Sequence, residues 1–111
     1  MKKLFISQPM KDKTNDEIRQ ERERAIYEVT TSTNTKYEAI DSFFENVPHD
    51  ATPLWNLGEA IKLLGTADVA YFCKDWEQYI GCVIEHECAV RYGIKCIYAQ
   101  RRSSKLIVLS D

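Results

Sequence analysis

A chain of 111 residues, 44% hydrophobic and 29% charged, has room for one domain with a modest core and is too apolar to be disordered. Its formal charge of -2, from 15 Lys and Arg against 17 Asp and Glu, supplies no net positive field and argues against a nucleic-acid polymer as partner. The N-terminal MKKLFISQPM is stopped by Gln8 and Pro9 well short of a signal h-region, and no stretch is long enough to span a bilayer, so a cytoplasmic protein without a membrane partner is expected.

Residues 2–7, KKLFIS, are a short apolar run ending in Ser-Gln-Pro and predict a first strand that opens into a loop. Thr14 followed by Glu17 is the capping-box pattern and predicts a helix start. Ile18, Ala25, Ile26 and Val29 then share one side of that helix. Arg22 falls on the same stripe, where a long stem would snorkel, and the polar TTSTNT at 30–35 is expected to end the helix. KYEAID at 36–41 suits a second strand, and SFFENVPHDATP at 42–53 is a loop of the length usually kept for function.

Pro53 fits the first turn of a second helix, in which Leu54, Leu57, Ile61 and Leu64 recur at helical spacing before Gly65 as C-cap. ADVAYFC at 67–73 is apolar almost throughout, as in a strand buried on both faces at the centre of a sheet. The loop KDWEQYI leads to GCVIEHECAVRYG, a third helix closed by Gly93. KCIYA at 95–99 and KLIVLS at 105–110 predict a fourth and a fifth strand. Strands alternating with helices imply the α/β class: a single flavodoxin/Rossmann-like domain over residues 1–111, with a parallel sheet of four to five strands and helices on both faces. Ligands bind such sheets outside the carboxyl ends of the strands, where strand order reverses, which points to the loops after Ser7, Asp41 and Cys73.

Cys73, Cys82, Cys88 and Cys96 form no C-x-x-C pair and sit in apolar surroundings, so buried free thiols are expected; their spacing with His49 and His86 does not support a zinc site. The strongest local signal is the run from Gly81 to Ala89. Gly81 would let the loop turn tightly into the helix. Glu85 would then lie in about its first turn, where the helix dipole favours an ionised, nucleophilic carboxylate. An acidic residue there serves equally well to stabilise the helix alone, and residue physics leaves both roles open.

The order of elements, with LFISQPM, DSFF, ADVAYF and the G-x-x-x-E-x-x-x-A run, resembles the nucleoside 2-deoxyribosyltransferase superfamily over about residues 3–99. The chain is most similar to its small phage and bacterial members. The resemblance implies a metal-free and cofactor-free homo-oligomer acting on a nucleoside or nucleotide, with Glu85 attacking the anomeric carbon through an oxocarbenium-like transition state. Transfer to a second base or hydrolysis by water would follow. The family's first strand commonly carries a tyrosine that orients the nucleophile, and the matching position here is Phe5. Its base-handling aspartate would fall near Ala60, with Glu59 beside it and Asp50 upstream.

Within that frame Ser7, Gln8 and Met10 would hold the sugar, and Lys11 with Lys13 would face a phosphate before a helix N-terminus. Asp41 at the end of the second strand, and His49 and Asp50 from the long loop, would contact the ligand, and Trp76 with Tyr79 would stack on the base. His86 and Glu87 turn about 100° and 200° away from Glu85 on the helix, which leaves His86 to the surface or to an interface. Two other expectations stand beside the enzyme. One is a non-catalytic protein that sequesters a nucleotide-derived metabolite or signal. The other is an interaction module docking through Phe43, Phe44 and Trp55.

Overall fold

The computed structural model describes residues 1–44 and 47–100; the strand expected at 105–110 lies outside the described residues. In chain order the elements are β1 (Lys2–Ser7), α1 (Asn15–Thr33), β2 (Tyr37–Ala39), α2 (Pro53–Leu64), β3 (Val69–Phe72), a 3-10 turn at Trp76–Gln78, α3 (Ile80–Arg91) and β4 (Lys95–Tyr98). The strands form one parallel sheet in the order β2-β1-β3-β4, with Leu4 opposite both Ala39 and Val69. This is the flavodoxin/Rossmann-like α/β architecture.

Alternation along the strands divides the core into two layers. Leu4, Ile6, Val69, Tyr71 and Cys73 meet Ala25 and Val29 of α1 on one face. Phe5, Ala70 and Phe72 meet Ala60 and Leu64 of α2 and Ala89 of α3 on the other. All four residues of β3 are buried, as a strand covered on both faces requires.

The capping box forms as expected, with Thr14 Oγ1 accepting from Glu17 N and the Glu17 carboxylate accepting from Thr14 N. The far end of α1 differs. The helix runs four residues past Val29 to Thr33, because the hydroxyls of Thr31 and Thr33 fold back onto the carbonyls of Tyr27 and Val29 and stay on the helix. Asn34, in the left-handed region at φ 53°, ends it. β2 is three residues long where six were expected. Ile40 N still reaches Leu4 O at 2.8 Å, but the Ile40 carbonyl accepts from Arg22 Nη2 at 2.8 Å and leaves the ladder.

Thr52 caps α2 by accepting from Trp55 N, Pro53 opens that helix, and Gly65 closes it in a right-handed conformation at φ -63°. Gly93, at φ 74°, does need its freedom: it turns the chain so that Ile94 N reaches back to Ala89 O at 2.9 Å. All four cysteines are free; Cys73 and Cys82 are buried, and Cys88 and Cys96 are half-buried. Among the described residues no helix is long and apolar enough to cross a membrane.

Candidate active site

The strand order sends the chain from β1 outward to β2 and then back across β1 to β3. The carboxyl ends of β1 and β3 therefore lie side by side at the point of reversal, where Cys73 N donates to Ser7 O at 2.9 Å. A cavity of about 1070 Å³ opens beside them. Its walls come from the loop after β1 (Gln8 to Asp12), from Phe44 and Ala51, from the inner side of α2, and from Gln78 to Cys82 with Glu85.

Glu85 is 9% exposed, and Ser7 Oγ donates to its Oε1 at 2.6 Å. Glu85 lines the cavity, and no buried side-chain oxygen or nitrogen among the described residues lacks a partner. Burial pushes this carboxyl up to about 7, and the Ser7 hydroxyl opposes that rise by favouring the charged form. The spacing from Gly81 predicts a place for Glu85 in about the first turn, under the helix dipole. It lies instead in the second turn of a helix that starts at Ile80, beyond the dipole's short reach, and desolvation outweighs it.

Ser7 thus acts on the carboxylate through its hydroxyl. Phe5 is 1% exposed and lies two residues earlier on the same face of β1, inside the α2 layer. The hydroxyl that meets the glutamate on this face is supplied by Ser7, two positions along. Cys82, three residues before Glu85 and on the same side of α3, also lines the cavity; burial pushes its thiol up to about 11, so it is uncharged there. Spacing on the helix was the available signal for it.

Gln8 reaches the cavity, but its amide is already committed. Nε2 donates to Ile18 O at 3.1 Å and Glu21 Oε1 at 3.2 Å, and Oε1 accepts from Arg22 Nη1 at 2.9 Å. Arg22 does not snorkel: beyond Gln8 and Ile40 O it also approaches Ser42 Oγ at 3.4 Å, and burial lowers its pKa. Together these two side chains tie the loops after β1 and β2 to α1. Asp41 is exposed and outside the cavity lining, where its charge supports Arg22.

His49 and Asp50 sit in an exposed turn, and neither lines the cavity, although Ala51 next to them does. Trp76 belongs elsewhere. It lines a separate cavity of about 310 Å³ with His86 and Tyr98, its ring 4.3 Å from His86 and 5.3 Å from Phe72, centroid to centroid. His86, expected at the surface or at an interface, is half-buried in this cluster with Nε2 at 2.7 Å from Tyr98 Oη. Tyr79 lines the larger cavity.

Met10 and Lys11 do border the Glu85 cavity, whereas Lys13 pairs with Glu21 at 3.7 Å. Asp12, Asn56 and Gln78 also line it, and sequence reasoning passed over all three. Phe44 packs into the α2 layer and meets Trp55, which stays partly exposed, edge-on at 6.3 Å. Among the described residues no group of three His, Cys, Asp or Glu side chains is placed to hold a metal ion.

Gly81 makes no special turn. It is inside α3 with ordinary helical backbone, and a Cβ there would meet nothing within 4 Å. Its contribution is empty space one turn before Glu85. Gly81→Leu should therefore fold normally, gaining up to about 1 kcal/mol of helix propensity, while its side chain fills the approach to the carboxylate. Thermal melting and ligand titration check this; undiminished ligand binding would place the ligand elsewhere.

Fold and cavity define a class: a doubly wound parallel α/β protein with, among the described residues, one buried carboxylate at the reversal point of its sheet. Comparison with protein-family models, with curated proteins and with solved structures finds no match to this chain.

Proposed function

We propose that this chain cleaves or transfers at the N-glycosidic bond of a deoxynucleoside, nucleoside or nucleotide, with Glu85 as nucleophile. One observation carries the reading: a buried carboxylate, gripped through one oxygen by Ser7, lines a cavity large enough for such a ligand. In the reaction a carboxylate oxygen of Glu85 bonds to C1′ as the C1′–N bond breaks, the bonding pair leaves with the base, and the base takes a proton from solvent. Water or a second base then displaces the glutamate. Lys11 and Asn56 offer polar contacts, and Tyr79 offers a ring for the base. The protein works in the cytoplasm, without metal or cofactor, and as a homo-oligomer.

Incubation with deoxynucleosides, nucleoside monophosphates and NAD, followed by assay for free base, tests this directly. The nucleophile must be ionised, so base release should rise with pH through about 7 and level off above it. In Ser7→Ala the hydroxyl that favours the charged form is gone, and the midpoint should move further up. A midpoint that stays put or falls would remove Ser7 from the role given to it. The second reading is a binding protein that returns its ligand unchanged. It is favoured by the high affinity of Glu85 for its proton and by the exposure of Asp12, the other described carboxylate in the cavity wall.

A further inference from the structure

The second cavity, of about 310 Å³, lies at the same end of the sheet, beyond β3 and β4, where Ala99 N donates to Phe72 O at 2.9 Å. It is distinct from the Glu85 cavity: Trp76 and Glu77 wall it, whereas Gln78 and Tyr79, the next two residues, wall the other. Its apolar part is a cluster of three rings, Trp76, His86 and Tyr98, packed on the fully buried Phe72. Tyr98 keeps 46% of its surface exposed, and Trp76 and His86 are half-buried, so the cluster is a floor open on one side. Flat rings left open beyond the carboxyl ends of parallel strands stand where such sheets take ligands.

We propose that this cavity binds one uncharged, flat nitrogen heterocycle of about the size of a free nucleobase. Ring geometry sets the shape. Trp76 and Tyr98 are 30° from parallel with centroids 6.0 Å apart, already a ring-to-ring contact, so the ligand lies flat against the cluster and not between its members. Polar groups set the chemistry. His86 Nε2 and Tyr98 Oη are 2.7 Å apart, and an imidazole and a phenol bring at least two protons, of which their mutual bond uses one. The pair therefore has a donor left for a ligand. Lys74, Asp75 and Glu77 on the same lining add charges of both signs. An anionic ring would meet the two carboxylates, a cationic ring would meet the ammonium, and a hydrocarbon ring would take water from all of them without replacing its hydrogen bonds. A heterocycle with donors and acceptors around its edge matches the whole set. The volume is at the low end for small-molecule pockets, which suits a single ring system. The inference gives Trp76 and His86 a role that the chemistry at Glu85 does not use, and it does not rest on the glycosidic reading.

Trp55→Phe leaves Trp76 as the only tryptophan of the chain. In that background adenine, added up to on the order of 5 mM, should quench the fluorescence saturably with a Kd of about 1 mM or tighter. Benzoate, and benzylamine in its protonated form, are flat but charged and should bind at least about tenfold more weakly. Tyr98→Ala should weaken adenine by at least about fivefold while leaving thermal melting nearly unchanged, since half of that side chain already faces solvent. Gly81→Leu fills the approach to Glu85 and should leave the Kd as it is, which separates the two cavities. Equilibrium dialysis in the Gly81→Leu background repeats the measurement without the fluorophore. Absence of saturable binding, its loss in Gly81→Leu, an unchanged Kd in Tyr98→Ala, or equal binding of benzoate or benzylamine would each overturn the proposal.

Discussion

Glu85→Gln is expected to abolish base release, by about 10³-fold or more, and to make the protein melt at a higher temperature in mild alkali. The first effect follows from chemistry, since an amide cannot displace a base from C1′. The second follows from proton linkage. Burial holds the folded carboxyl at about 7 against an ordinary value of 4.5. Below pH 4.5 both folded and unfolded chains carry the proton, and the carboxyl costs nothing. As pH rises through 4.5 the unfolded chain releases its proton while the folded one holds on, so stability falls until the folded carboxyl also ionises near 7.

Above that point the loss is complete and amounts to roughly 3 kcal/mol. Glutamine keeps an oxygen for the Ser7 hydroxyl and never ionises. At about pH 8 the variant should gain on the order of 10 °C in melting temperature, and near pH 4.5 the two proteins should melt together. An advantage independent of pH would contradict the desolvation account. Surviving base release would take the nucleophile away from Glu85 and leave the fold argument untouched.

Arg22→Met is expected to be the most damaging substitution on α1. It leaves the Ile40 carbonyl and Gln8 Oε1 without their donor, inside the junction of two loops and a helix. These bonds are part-buried, and unpaired groups there cost about 1–2 kcal/mol each, so a loss of roughly 2–3 kcal/mol is expected in urea or thermal unfolding. Arg22→Lys should recover only part of it, because an ammonium on a flexible stem cannot reproduce a fork that serves two acceptors at once. Gln8→Leu should couple with Arg22→Met in a double-mutant cycle, since the two side chains share a bond. A cost under about 1 kcal/mol for Arg22→Met would mean that water replaces the guanidinium without penalty.

The positions whose surroundings the sequence leaves open share a cause. Gln8 and Arg22 lie 14 residues apart, so neither reveals in the chain that the other will occupy it. Trp76 and Tyr79 sit three residues apart between β3 and α3 and look interchangeable as stacking rings. The 3-10 turn at Trp76–Gln78 sends the first into the cluster with His86 and Tyr98, and the second to the Glu85 cavity. His49 and Asp50 were attractive because a long loop near a site usually contributes to it; here it does so through Phe44 and Ala51.

Taken alone, the order of residues determined the elements and their layering. The capping box at Thr14, the apolar run of β3 and Gly93 after α3 act within a few residues of backbone. Strands alternating with helices leave little choice but a parallel sheet covered on both faces. Only the tertiary structure decided which polar groups are buried and what they touch. The Ser7–Glu85 bond joins residues 78 apart, and the carboxyl's raised affinity for a proton comes from the water that packing excludes around it. Dihedral preference and period are local properties, whereas desolvation and hydrogen-bond partnership belong to whatever the folded chain brings together.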